Sequence, residues 1–262
     1  MSITPASSTT STNKRKLLKR PDEFESSVGG FFNWVEKNAR LFIVGIGVAL
    51  VLLVAVTVFI QLRESKEEGA RVALFTVRQT FENEEKPFQP MPAPPAPETK
   101  GAKAKPAAPT PGKPHVNAET DYPATIKGLQ EVVGKHGGTQ AAFEAQMMLA
   151  QLYVEGKQNE LALKAYETAS TMAKSGFDRA SAYSSWGYAL ENAGQLPTAL
   201  EKFQKALDQG EALLKGDLLM SVARIHESQK DVEKAKAAYQ RITSELPETS
   251  YARTATQKQS QL

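Results

Sequence analysis

Tyr183 to Leu207 reads YSSWGYALENAGQLPTALEKFQKAL. The second half, Ala199-x3-Phe203-x2-Ala206-Leu207, sets apolar residues at helical spacings of three and four. Pro197 precedes it and suits the first turn of a helix, where its missing N–H costs nothing. The first half, Tyr183-x2-Trp186-Gly187, places a residue without a side chain in the middle of a second helix. A small residue on one helix and an aromatic on the next let the two backbones approach closely. The stretch therefore predicts two antiparallel helices packed on each other.

The same arrangement occurs on either side. Upstream are Leu149-Ala150-x2-Tyr153, then Ala162-x3-Tyr166 and Ala169. Downstream are Val222-Ala223-x2-His226, then Ala235-x3-Tyr239-x2-Ile242, closed by Pro247. The small-x3-aromatic pairs recur after 37 residues (Ala162 to Ala199) and 36 residues (Ala199 to Ala235). A fixed period in this range marks a stack of helix pairs, each too small to bury its own apolar face. Ile126, Leu129, Val132 and Val133 read as the second helix of an earlier pair, and Tyr251-Ala252 starts a short terminal helix. Together these motifs resemble tetratricopeptide repeats, slightly longer than the standard repeat, over residues 121–250.

Leu41 to Ile60 is of another kind. It holds 20 residues with no charge, amide or proline, and 15 of them are Leu, Ile, Val or Phe. As a helix it is about 30 Å long, the thickness of a bilayer's hydrocarbon core. Its insertion is favourable by about 5–9 kcal/mol. A cleaved signal peptide has a shorter apolar region and a small-residue cleavage site. Here 40 residues precede the run and Gln61-Leu62-Arg63-Glu64 follows, which predicts a permanent single span. Seven Lys and Arg lie in the first 40 residues, five of them clustered as Lys14, Arg15, Lys16, Lys19 and Arg20. That cluster suits attraction to anionic headgroups or a topogenic charge block, and it places the short tail in the cytoplasm. Phe24, Phe31, Phe32 and Trp34 suit an interfacial aromatic belt.

Past the span, Ala70, Ala73, Leu74, Val77 and Phe81 form one apolar stripe that needs a partner helix. Residues 86–118 contain ten of the chain's 15 prolines, so helix and sheet are blocked and an extended, solvated loop or spacer is expected. The helix over 66–84 is expected to pair with a helix over 122–135, with the Pro-rich segment as the loop between them. The chain thus reads as a basic tail (1–40), a transmembrane helix (41–61), a continuing helix (62–85), a Pro/Ala/Lys-rich loop (86–118) and a repeat domain (119–262). The fold class is all-α: one transmembrane helix followed by a tetratricopeptide-type α-solenoid of antiparallel helix pairs.

This layout is similar to the ancillary Sec-translocon subunit family. The residues that carry the likeness are Phe31-x2-Trp34-Val35-Glu36-Lys37-Asn38 before the span and Ala70-x2-Ala73-Leu74 after it. The resemblance implies a bacterial inner-membrane protein, single-pass, with a cytoplasmic N-terminus and a periplasmic repeat domain. It also implies a role beside the translocon, in secretion or chaperone transfer, with translocon subunits or periplasmic chaperones as partners. The Pro-rich insertion departs from the compact family pattern. A second reading is a structural cell-envelope organiser that uses the Pro-rich arm.

No catalytic chemistry is visible. There are no cysteines, and the three histidines (His115, His136, His226) are far apart in sequence. No nucleophile sits with a base, no spacing suits a metal, and no phosphate loop or cofactor motif occurs, so the chain reads as a non-enzyme. A net charge of +3 gives no case for nucleic acid. What remains is binding of proteins or peptides on the concave wall that stacked first helices form. The family register places Met147, Gln151, Val154, Ser184, Tyr188, Glu191, Met220, Arg224 and Glu227 on that wall.

Overall fold

The computed structural model describes residues 34–90 and 111–262, with Phe42 described in its backbone only. The basic cluster 14–20, Phe24, Phe31, Phe32 and the central part of the Pro-rich segment lie outside the described residues. Among the described residues the chain is helical, without strands. It divides into two compact units, residues 1–62 and 63–262.

Helix α1 (Ala39–Glu85) contains the whole apolar run. It is the one described helix long and apolar enough to cross a membrane. Its described side chains from Leu41 to Ile60 are all exposed; Leu41, Val51 and Leu53 are 71%, 69% and 63% exposed.

In the second unit, α1 beyond Arg63 runs against α3 (Pro123–Lys135) in antiparallel fashion. Ala70, Leu74 and Val77 are buried in one apolar cluster with Ile126, Leu129 and Val132. Gly128 makes the approach possible, because a Cβ there would lie 2.7 Å from a methyl of Val77. Glu84 accepts the backbone N–H groups of Ala124 and Thr125, both at 3.0 Å. Those are the first free donors of α3, whose N-cap Tyr122 supplies no side-chain acceptor. Near the other end, Glu67 accepts the N–H of Gln140 at 2.8 Å, at the start of α4 (Gln140–Glu155). Two carboxylates of α1 therefore cap two helices of the repeat stack, at N-termini where the helix dipole favours negative charge.

The Pro-rich segment leaves and returns at one point. Lys113 donates its N–H to the carbonyl of Pro87 at 3.0 Å, and a Cβ on Gly112 would collide with the Phe88 carbonyl oxygen. Its edges are more ordered than proline content predicts. A short 3₁₀ turn, Lys86–Phe88, precedes it. His115, which the sequence leaves in a solvated spacer, stacks on Phe88 with ring centroids 4.4 Å apart. Tyr122 packs against Phe81 and Phe88 and donates its hydroxyl to Glu85. The short helix α2 (Ala118–Asp121) abuts Gly156, with the Ala118 N–H on Gln158 Oε1 at 2.8 Å.

The remaining helices are α5 (Asn159–Met172), α6 (Gly176–Asn192), α7 (Leu196–Leu207), α8 (Ala212–Ser228), α9 (Val232–Glu245) and α10 (Ser250–Gln259). Each packs on its neighbour in the chain, and α8 also touches both α6 and α10. The pairs α4/α5, α6/α7 and α8/α9 coincide with the three sequence copies. Ala162, Ala199 and Ala235 are fully buried, as are Tyr166, Phe203 and Tyr239 within 2%. At Gly187 the fit is tightest: an added Cβ would lie 2.6 Å from Phe203 Cε1. The turn inside each pair carries one left-handed residue in the same place, Lys157, Gly194 and Lys230 (φ 57°, 75° and 59°). Glycine adopts this conformation freely, whereas lysine holds it against a steric cost.

Candidate functional site

The first helices α4, α6 and α8 present one residue in each repeat at three shared positions. These are Met147, Ser184 and Met220; Gln151, Tyr188 and Arg224; and Val154, Glu191 and Glu227. Three of the nine converge. Gln151, Val154 and Tyr188 line a recess of about 160 Å³ between α4 and α6, completed by Tyr166, Ser185, Ala189 and Asn192. Tyr166 comes from the second helix α5 and forms the floor. It is 2% exposed, and burial together with the charge of Glu155 pushes its hydroxyl up to about 12. The recess thus has an aromatic and aliphatic body with amide and hydroxyl groups at its rim, the composition of an adaptable binding surface.

Glu191 and Arg224 meet each other rather than facing outward separately. Arg224 donates twice, from Nε and Nη2, to the two carboxylate oxygens of Glu191 at 2.8 Å each. Arg224 also reaches Ser221 Oγ at 3.3 Å, and Ser221 donates to the Tyr188 hydroxyl at 3.0 Å. Tyr188 in turn lies edge-on to Phe203 with centroids 5.0 Å apart. Glu227 lies 3.8 Å from Lys258 on α10. Met147 and Met220 are half-buried against the two larger apolar clusters, and Ser184 is half-buried.

Sequence reasoning missed Tyr166, Ser185, Asn192 and Ser221. Tyr166 was legible as the aromatic of a small-x3-aromatic pair, and its packing role concealed that it also lines the recess. Ser185 and Asn192 sit one residue beyond Ser184 and Glu191. At about 100° per residue that shift turns a side chain toward the neighbouring helix.

His226 stands where the upstream copy has Tyr153. Its Nδ1 is buried without a hydrogen-bond partner, and desolvation lowers its pKa. It is a neutral packed ring. His136 ends α3 as its C-cap. Among the described residues no group of three or more His, Asp or Glu side chains is placed to hold a metal ion.

The family model for the tetratricopeptide repeat matches residues 185–249, which contain the C-terminal half of α6 and all of α7, α8 and α9. No curated protein matches the chain. The repeat match, the stacked helix pairs and the cysteine-free sequence fit a non-catalytic scaffold for protein–protein interaction.

Proposed function

We propose that this protein is a single-pass membrane scaffold whose repeat domain holds segments of partner proteins in the groove along α4, α6 and α8. The observation that carries the reading is the recess between α4 and α6. It is a place where the first-helix face opens down to a second-helix tyrosine. The exposed apolar run in α1 supports the anchor, since so long an apolar surface facing water would be strongly unfavourable. An anchored groove works at a raised local concentration, so weak individual contacts suffice.

The likeness of the sequence layout to ancillary translocon subunits extends the proposal. The basic tail is cytoplasmic, the repeat domain is periplasmic in a bacterial inner membrane, and the clients are translocon subunits or periplasmic chaperones. Affinity purification of the tagged full-length protein in mild detergent tests this. Translocon subunits or a periplasmic chaperone should co-purify and should be lost from a Val154→Asp, Tyr188→Ala variant that still binds the membrane. If neither class of partner co-purifies, the assignment to the translocon fails.

A further inference from the structure

Charge pairs tie successive first helices together at three of the four steps along the stack. Arg78 of α1 meets Glu144 of α4 at 2.8 Å. Arg224 of α8 meets Glu191 of α6 at 2.8 Å. Lys258 of α10 lies 3.8 Å from Glu227 of α8. The last two pairs occupy corresponding repeat positions: a carboxylate in the final turn of one first helix, and a cation brought up by the next. At the step from α4 to α6 this arrangement is broken. A carboxylate is still present in the last turn of α4, shifted by one residue to Glu155. Its partner is a neutral amide in its own helix, Gln151 Nε2 at 3.0 Å. The place taken by Arg224 in the next step belongs here to Tyr188, which carries no charge. Among the described residues no cation is within ion-pair distance of Glu155, and the recess lies at this step.

We infer that the recess seats the side chain of an arginine or lysine in an extended partner segment, with Glu155 as its counter-charge. This rests on the groove reading above and specifies its ligand. The chain supplies its own cation to the groove carboxylate at two successive steps and omits it at the third, so a bound segment completes the series. The lining suits a long basic side chain. Val154, Tyr166 and Tyr188 give the recess an apolar, aromatic lining that covers an aliphatic stem, while the cationic head remains near water and Glu155. Ser185 and Asn192 make no side-chain hydrogen bond to another described residue, which leaves them for the segment's backbone. Gln151, which lines the recess, links its floor to Glu155: it accepts from the Tyr166 hydroxyl at 3.4 Å and donates to Glu155 at 3.0 Å.

The test uses the full-length protein in dodecyl maltoside micelles. Its ligands are three fluorescein-labelled nonapeptides of alternating Ser and Val that differ only at the centre, which is arginine, norleucine or glutamate. Fluorescence anisotropy should show the arginine peptide binding about tenfold tighter than the norleucine peptide and the glutamate peptide weakest. The advantage of arginine should shrink as salt is raised. In Glu155→Gln the arginine peptide should fall to the norleucine level, and Glu155→Arg should favour the glutamate peptide. Equal binding of arginine and norleucine peptides, or a preference that survives Glu155→Gln, overturns the cation seat and leaves the groove standing. Failure of all three peptides to bind, or binding unaffected by Val154→Asp with Tyr188→Ala, overturns the groove itself and the cation seat with it.

Discussion

Glu84→Ala removes a helix cap that comes from another helix, and its cost follows from the geometry. Both oxygens of Glu84 accept backbone donors of α3, from Ala124 and Thr125, at 3.0 Å each. Thr125 is fully buried, so water cannot replace the lost acceptor there. Pro123 has no N–H, and Tyr122 offers no side-chain cap, so α3 has no local substitute. A hydrogen bond to a charged acceptor is worth about 1.5–3 kcal/mol, and loss of a cap typically costs about 1–2 kcal/mol. Glu84 is half-buried and the bonds are of ordinary length, so we expect about 2 kcal/mol for Glu84→Ala and about half that for Glu84→Gln. For a unit of this size about 2 kcal/mol lowers Tm by roughly 4–8 °C. The assay is thermal unfolding by circular dichroism in detergent, with Glu82→Ala as control, since Glu82 is exposed on the same helix. Amide exchange gives a second readout: Ala124 and Thr125 should lose protection while the amides of α7 keep theirs. Identical melting of Glu84→Ala and Glu82→Ala, with the two amides exchanging at the parental rate, would refute the cap.

Gly187→Ala should destabilise by about 1–2 kcal/mol despite the better helix propensity of alanine. The new Cβ lands 2.6 Å from the fully buried Phe203, and overpacking of about 1–3 kcal/mol exceeds the propensity gain of about 1 kcal/mol; urea midpoints should show the loss, and Phe203→Leu should restore part of it. Replacing residues 91–110 with a short Gly-Ser linker should leave Tm unchanged within about 2 °C, because the flanking residues Phe88 and Gly112 already touch; a large drop in the melt would show that the segment holds the fold together. Tyr166 and Tyr239 are each pushed up to about 12 by burial, aided by Glu155 and Glu227. Unfolded tyrosines ionise near pH 10, so between about pH 10 and 12 the unfolded state binds fewer protons and stability falls as pH rises. Urea unfolding at about pH 9 and about pH 11 should differ, and Tyr166→Phe with Tyr239→Phe should reduce that difference.

The repeat stack was legible because its signal is local. Ala162 and Tyr166 are four residues apart on one helix, so periodicity alone assigns them to one face, and the burial of all three small–aromatic pairs follows that reading. The stripe Ala70–Leu74–Val77 announced a missing partner in the same way, and α3 is that partner. Contacts between residues far apart in sequence were not legible. Nothing near Glu84 or Glu67 marks them as caps, since their acceptor role depends on helices 40 and 73 residues further on. Arg224 and Glu191 each looked like a separate groove side chain, and only the stacking of α6 on α8 shows that they satisfy one another. The order at the edges of the Pro-rich segment was hidden for a related reason. Proline content forbids regular structure, yet Phe88 and His115 stack from opposite ends of that segment.

Everything rests on the repeat stack beginning inside α1, with the residues past Arg63 serving as its first helix. The chain has no cysteine, so a single introduced pair reports cleanly. At Val77 and Gly128 the two Cβ positions would be 3.6 Å apart, within the disulfide range. Mild oxidation of the double variant Val77→Cys, Gly128→Cys in native membranes should therefore close an intramolecular disulfide nearly quantitatively, seen as faster migration on non-reducing gels. The double variant Val72→Cys, Gly128→Cys should remain open, because Val72 is exposed on another face of α1. Free thiols persisting at positions 77 and 128 after oxidation, or equal closure in both double variants, would contradict the account.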